Sequence, residues 1–231
     1  MLKKAIALYT GGKDSHYSII KALEAGVRVV ALVTAVPRIT DSWMFHSINV
    51  RYVKLHAQAM DLPLHMISVS GIKEKEVEEL RDHIGSTVLS KYDDIDYIIS
   101  GATASRYQKE RVDSLAEELG LKHLAPLWGR NPVNLLAEEV NYIDFIIVAI
   151  QAFGLTMKWL GKLITRKDLD IFVKICQKFG INPVGEGGEI ETFVISSPLL
   201  QGHAIKIHKS VVKWFPELCC GYYFIKDASL S

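Results

Sequence analysis

Cysteine is scarce, at three in 231 residues (Cys176, Cys219 and Cys220). That excludes a small disulfide-stapled scaffold, and an odd count with two of the three adjacent suits a reducing compartment. Long apolar runs are missing too. The densest, Phe145 to Ile150, is far short of the roughly 18 residues a membrane helix needs. The basic start Met1-Leu2-Lys3-Lys4 leads only into the short stretch Ala5 to Tyr9, which is no signal-peptide core. The chain therefore reads as cytoplasmic, with no membrane partner. An excess of one charge sign is absent as well, with 27 Lys plus Arg against 26 Asp plus Glu. That balance argues against a nucleic-acid partner, whose affinity would rest on phosphate contacts. What is present is ordinary for a folded domain: 49% apolar and 23% charged residues exclude extensive disorder.

The first half alternates β-rich runs with amphipathic helical runs. Strands are expected at Lys4–Tyr9, Val27–Val33, Leu64–Val69, Tyr97–Ser100 and Leu121–Ala125. Between them lie helices near Asp14–Ala25, Ser47–Met60, Glu74–Leu89 and Ser105–Leu119. The third helix carries Val77, Leu80, Ile84 and Val88 on one face. Such alternation predicts a parallel sheet covered on both faces, binding ligands at the carboxyl ends of its strands. The second half differs. Asn131-Pro132 opens a helix to about Asn141, and Phe145–Ile150 is a buried strand. Thr165 and Asp168 form a capping box for a helix ending at Gly180. Short strands follow near Ile190–Ile195, His203–Ile207 and Tyr222–Ile225. The fold class is thus α/β: a Rossmann-like parallel-sheet domain over 1–128 and a smaller α+β domain over 129–231.

The most informative segment is Thr10-Gly11-Gly12-Lys13-Asp14-Ser15. The glycines permit positive φ and close approach of a ligand to the backbone. The first helical N–H groups have no intrahelical partners, and with the helix dipole they form an anion site. Lys13 adds a charge, and Thr10 and Ser15 add hydroxyl donors. A plain tight turn capped by Asp14 is the competing reading, but the Lys-Asp-Ser continuation favours phosphate. The segment is not a Walker A loop, because Ala7 stands where the first Gly of that motif belongs and Asp14 follows the Lys. In the later glycine-rich run Gly185-Glu186-Gly187-Gly188-Glu189-Ile190, Ile190 breaks the dinucleotide pattern.

Thr10–Ser15 resembles the Ser-Gly-Gly-Lys-Asp-Ser pyrophosphate loop of the N-type ATP pyrophosphatases, with Thr10 for the first Ser. Further segments occur in order: Met44-Phe45-His46, Gly101-Ala102, Ser105-Arg106-Tyr107-Gln108, Arg111, Pro126-Leu127-Trp128, Trp159-Leu160-Gly161 and Gly185 to Val194. Together they resemble the diphthine–ammonia ligases over nearly the whole chain, with Ile190 replacing an expected aromatic residue. The resemblance implies an adenine nucleotide alpha hydrolase-like fold and a ligase. Such an enzyme amidates diphthine on elongation factor 2 with ammonium through an acyl-adenylate, releasing AMP and pyrophosphate.

The site residues follow from that resemblance. Thr10, Gly11, Gly12, Lys13, Asp14, Ser15 and Gly101 bind ATP, Lys13 stabilises the leaving pyrophosphate, and Asp14 positions Mg²⁺ unless it is only the helix cap. Strand alternation puts Glu189, Glu191 and Phe193 on one face, where carboxylates beside an aromatic ring suit a trimethylammonium group. Trp128 and Trp159 would complete such a cage. Glu189 or Glu191 would instead bind ammonium and take its proton. Glu186, Gly187 and Gly188, together with His46, Ser105, Tyr107, Gln108 and Arg111, are the remaining substrate-side candidates. Solvated helix and turn positions are the competing reading for most of these. Two alternatives stay open, a tRNA-modifying pyrophosphatase and a non-catalytic ATP sensor, and the sequence leaves self-association undecided. No Ser-His-Asp set can be inferred from the sequence.

Overall fold

The computed structural model describes residues 2–38 and 48–231. Five strands form a parallel sheet in the order β3-β2-β1-β4-β5: β1 (Lys3–Leu8), β2 (Val27–Pro37), β3 (Leu64–Val69), β4 (Tyr97–Ile99) and β5 (Lys122–Leu124). The chain winds outward from β1 to β3, then returns to place β4 on the other side of β1. That reversal leaves a crevice above the carboxyl ends of β1 and β4, the ligand position of doubly wound sheets. Helices α1 (Lys13–Glu24) and α2 (Val53–Met60) pack around an apolar core of Ala5, Ala7, Ile19, Val53 and Ala57, among others. Helices α3 (Lys75–His83) and α4 (Arg106–Glu118) share a core with Ile6, Val33 and Ile98.

Local chemistry explains the boundaries. Gly26 takes φ +78° just past α1, the left-handed conformation that ends helices. The stripe Leu80, Ile84 and Val88 is buried as its spacing predicts, but the helix loosens into a π turn over Ile84–Val88. Beyond Val33 the strand continues through buried Thr34 and half-buried Ala35 and Val36, so β2 reaches Pro37 rather than stopping at Val33. The expected start of the second helix at Ser47 falls outside the described residues; a 3₁₀ turn over Val50–Tyr52 leads directly into α2.

The second sheet is antiparallel, in the order β7-β6-β9-β8: β6 (Asp144–Gln151), β7 (Ile190–Ser196), β8 (Ile205–Phe215) and β9 (Cys220–Leu230). Helix α5 (Pro132–Tyr142) starts at Asn131, whose side chain accepts from the Val133 and Asn134 amides, each at 3.1 Å. Helix α6 (Arg166–Phe179) starts on the Asp168 carboxylate, which accepts from the Thr165 N–H at 3.0 Å and its hydroxyl at 2.7 Å. Both helices cover one sheet face through Leu135, Leu136, Phe172 and Cys176. The other face packs Ile146, Phe193 and Ile225 beside Tyr52 and Leu55 of the first domain. The β8–β9 hairpin is far longer than the two short strands expected. Its middle is mostly exposed (Lys206 to Trp214 includes Lys, His, Ser and Lys), so it lacks the half-buried alternation that signals a strand. No helix among the described residues is long and apolar enough to cross a membrane.

Candidate active site

The crevice is a cleft of about 1150 Å³, its open mouth included. The Thr10–Ser15 loop forms one wall. Gly11 takes φ +81° there, and α1 begins at Lys13 with Gly12, not Asp14, in the capping position. The Thr10 and Ser15 hydroxyls lie 3.1 Å apart, and Ser15 Oγ donates to the Gly12 carbonyl at 3.0 Å. Gly101, after β4, presses directly on the start of α1: a Cβ there would lie 2.6 Å from the Ser15 nitrogen. Only glycine allows the two loops to meet so closely.

Strand β7 closes the cleft from the second domain. Thr192 Oγ1 accepts from the Lys13 N–H at 3.1 Å, and the Val194 N–H donates to the Gly11 carbonyl at 2.9 Å. Behind the loop, His16 bridges Tyr9 (2.8 Å) and Ser197 (2.6 Å). His56 reaches the Val194 carbonyl at 2.7 Å. A carbonyl only accepts, so His56 Nε2 carries the proton there. Burial lowers both imidazoles, His56 to about 4, so the network is neutral at pH 7.

Lys13 departs from the simple phosphate-contact picture. Its side chain is 2% exposed, and Nζ sits 2.6 Å from Asp14 Oδ1, 3.1 Å from Glu139 Oε2 and 3.0 Å from the Val184 carbonyl. Lys13 is not among the residues lining the cleft, whereas Asp14 is. Glu139, on α5, is wholly buried. Burial, with Asp14 adding to it and Lys13 opposing it, raises its carboxyl well above the ordinary 4.5. Burial alone would lower the Lys13 ammonium; Asp14 and Glu139 more than offset that. The ammonium is a strut joining the Thr10–Ser15 loop to the second domain.

The glycine-rich run divides. Glu186, Gly187, Gly188 and Glu191 line the cleft. Glu186 accepts from the backbone N–H groups of Thr103 (3.2 Å), Ala104 (3.0 Å) and Ser105 (2.9 Å) and from the Thr103 hydroxyl. It thereby caps the entrance to α4, whose own capping residue is Ser105. Glu189 points elsewhere, accepting from the Asn182 N–H at 3.1 Å. It precedes β7 and lies in a turn, so strand alternation does not pair it with Glu191.

The expected aromatic cage is not assembled. Trp159 stacks edge-on with Phe172, centroids 5.0 Å apart, inside the core under α6. Phe193 lies in the core on the other face of that sheet, 4.7 Å from the His56 ring. Trp128 pairs with Lys109. None of the three lines the cleft. On α4, Gln108 and Val112 reach the cleft, while Tyr107 and Arg111 turn to Glu74, with Arg111 2.6 Å from Glu74 Oε1 and 3.6 Å from the Tyr107 ring. His46 lies outside the described residues. The sequence reading missed Ser100, Val184 and an apolar wall of Leu8, Val33, Ala35, Ile48 and Leu80. It also missed Glu139, a Glu on the apolar face of α5 beside Leu135 and Leu136.

Among the described lining residues the charged ones are Asp14, Glu186 and Glu191. An acidic cleft suits a cation, and a triphosphate entering it would need an accompanying divalent ion. No group of three or more His, Cys, Asp or Glu among the described residues could hold a metal. Magnesium held mainly by phosphate and water takes only one or two protein carboxylates, and Asp14 is a carboxylate that lines the cleft.

Comparison with known proteins gives the family. The model of the diphthamide synthase N-terminal domain matches residues 3–123 and that of the C-terminal domain residues 131–230. A Homo sapiens protein named diphthine–ammonia ligase is 31% identical over 90% of this chain and 85% of its own length. The Bos taurus protein of that name is 32% identical over the same shares. A Schizosaccharomyces pombe protein of that name is 32% identical over 91% of this chain, which spans only 37% of that longer relative. With both domain models matched along one chain, and ligases as its curated relatives, the chain belongs to the diphthamide synthase family.

Proposed function

We propose that the chain is an ATP-dependent amide ligase that converts diphthine on elongation factor 2 to diphthamide with ammonium. The observation that carries this reading is the juxtaposition in one cleft of the Thr10–Ser15 loop at the end of β1 and the glycine- and glutamate-rich run of the second domain. Residues 1–128 hold ATP and residues 129–231 the modified side chain. The apolar wall of Leu8, Val33, Ala35, Ile48 and Leu80 suits a purine. The first turn of α1, with the Thr10 and Ser15 hydroxyls, receives the β- and γ-phosphates. Magnesium, when bound beside Asp14, neutralises phosphate charge.

The diphthine carboxylate attacks the α-phosphorus, an acyl-adenylate forms and pyrophosphate leaves. Ammonia then attacks the carbonyl and AMP departs. Burying the reaction between the two domains excludes the water that would otherwise hydrolyse the adenylate. Glu191 and Glu186 present negative potential to the trimethylammonium and ammonium groups. Lys13 acts from behind the loop, holding its backbone in place rather than touching phosphate.

The test is incubation of the protein with ATP, ammonium chloride and diphthine-bearing elongation factor 2. Stoichiometric AMP, pyrophosphate and diphthamide support the reading. Release of ADP, or AMP release that requires tRNA instead, overturns it.

A further inference from the structure

A hydrogen-bonded series that the sequence does not reveal ends at the cleft. Ser100, at the carboxyl end of β4, lines it. Ser100 Oγ lies 2.7 Å from Nε2 of His123 on the neighbouring strand β5, and His123 Nδ1 lies 2.6 Å from Asp113 Oδ1 on α4. The other Asp113 oxygen is held by Lys109 at 2.6 Å. The roles of donor and acceptor are fixed by chemistry. An ionised carboxylate only accepts, so Nδ1 carries the proton and Nε2 presents its lone pair to the serine hydroxyl. The His123 side chain is 3% exposed, and neither it nor Asp113 lines the cleft. Ser100 is therefore the only member of the three in contact with cleft contents.

We infer that Ser100, His123 and Asp113 form a proton relay that deprotonates ammonium in the cleft. This rests on the amide-forming reading above. Ammonium gives a proton to Ser100 Oγ as the serine hydroxyl proton passes to His123 Nε2. The products are neutral ammonia, an intact serine and an imidazolium paired with Asp113. The ammonia lone pair then forms the C–N bond as the C–O bond to AMP breaks; the new amide nitrogen gives its extra proton to the departing AMP phosphate, and the imidazolium returns its proton through Ser100 to solvent once the products have left. Ser100 is the catalytic member, His123 the proton acceptor and Asp113 a positioning residue.

Among the described residues, the charged groups that act on His123 are Asp113 and Lys109, both from α4. Burial lowers its pKa and Lys109 adds to this, while Asp113 partly offsets both. The imidazole is therefore neutral, and able to accept, at pH 7. Burial raises Asp113, but its bonds to Lys109 and His123 more than cancel that, so it stays ionised.

The test measures two half-reactions on Ser100→Ala, His123→Gln and Asp113→Asn in the full chain. One is ATP–pyrophosphate exchange dependent on diphthine-bearing elongation factor 2; the other is amidation. With ammonium at pH 7, Ser100→Ala and His123→Gln should lose amidation by about 100-fold or more, with exchange kept within about twofold. Asp113→Asn, at the surface, should lose amidation in the same sense. Amidation by the variants should recover as pH rises toward the pKa of ammonium, and hydroxylamine, already neutral at pH 7, should bypass the defect. Equal loss of exchange and amidation, or no rescue by pH and hydroxylamine, overturns the relay, as does an acyl ester on Ser100 in the intact mass. Failure of wild type to show exchange at all would instead overturn the ligase reading itself.

Discussion

Replacing Lys13 by Met separates two roles for the same side chain. In the structure Nζ lies among Asp14, Glu139 and the Val184 carbonyl at 2.6, 3.1 and 3.0 Å. Met fills similar space without the charge. The Val184 carbonyl then loses a buried donor, which costs about 1–3 kcal/mol. Asp14 loses its counter-charge and Glu139 the one neighbour that favours its ionised form, and breaking a buried pair in this way costs about 3–5 kcal/mol in all. Asp14 is 27% exposed and regains water, which places the total near the lower end. About 3 kcal/mol is a large share of a typical total of roughly 5–15 kcal/mol. Urea denaturation at pH 7 measures it.

The companion Glu139→Gln should cost less, because burial already favours the uncharged carboxyl. Its pH dependence has a definite sign. A carboxyl raised in the folded state binds its proton more tightly there than in the unfolded chain. The stability it lends is present below the ordinary value of 4.5 and is lost as pH rises from there toward the folded value. Gln does not titrate, so the difference between Gln and wild type should shift in favour of Gln across that window. The double variant Lys13→Met with Glu139→Gln should recover part of the single-variant loss, since removing both partners leaves less unpaired charge. If Lys13→Met stays within about 0.5 kcal/mol of wild type while ATP affinity collapses, the ammonium faces phosphate and the strut is refuted.

Three further outcomes follow. Gly101→Ala places a methyl 2.6 Å from the Ser15 nitrogen and should abolish ATP binding by forcing the two loops apart, as titration calorimetry would show; normal affinity would contradict the close approach. Glu191→Gln should weaken diphthine-dependent turnover while sparing ATP binding, whereas Glu189→Gln, whose carboxylate meets the Asn182 N–H, should leave turnover near wild type. Equal effects on turnover would restore the shared-face reading. Phe193→Ala should lower stability by about 3–5 kcal/mol, read by denaturation, and a specific loss of substrate affinity without destabilisation would return it to a binding role.

The architecture and the place of the Thr10–Ser15 turn at the cleft were legible because local signals carry them. Alternating strand and helix periods predict the parallel sheet, and two glycines at a strand–helix junction mark the crevice. The three aromatic cage candidates failed for a different reason. Trp159 and Phe193 take opposite faces of the second sheet, and no periodicity reports which layer covers each face. The sequence assigns Lys13 to the leaving pyrophosphate because nothing near it in sequence announces Glu139 or Val184, which arrive from another domain. The relay was hidden likewise: Ser100 and His123 meet across adjacent parallel strands, with Ile99 paired to Leu124, and that register is set by the whole sheet. The long hairpin escaped because its exposed residues give no alternation to detect.

The most direct test of the central claim follows oxygen. Diphthine labelled with ¹⁸O in its carboxylate is converted with unlabelled ATP and ammonium, and the nucleotide is analysed by mass spectrometry. Attack on the α-phosphorus carries one labelled oxygen into AMP and none into pyrophosphate, which is the predicted result. Label in inorganic phosphate with ADP as the nucleotide product, or AMP free of label, would show that the carboxylate is not activated by adenylation in this cleft.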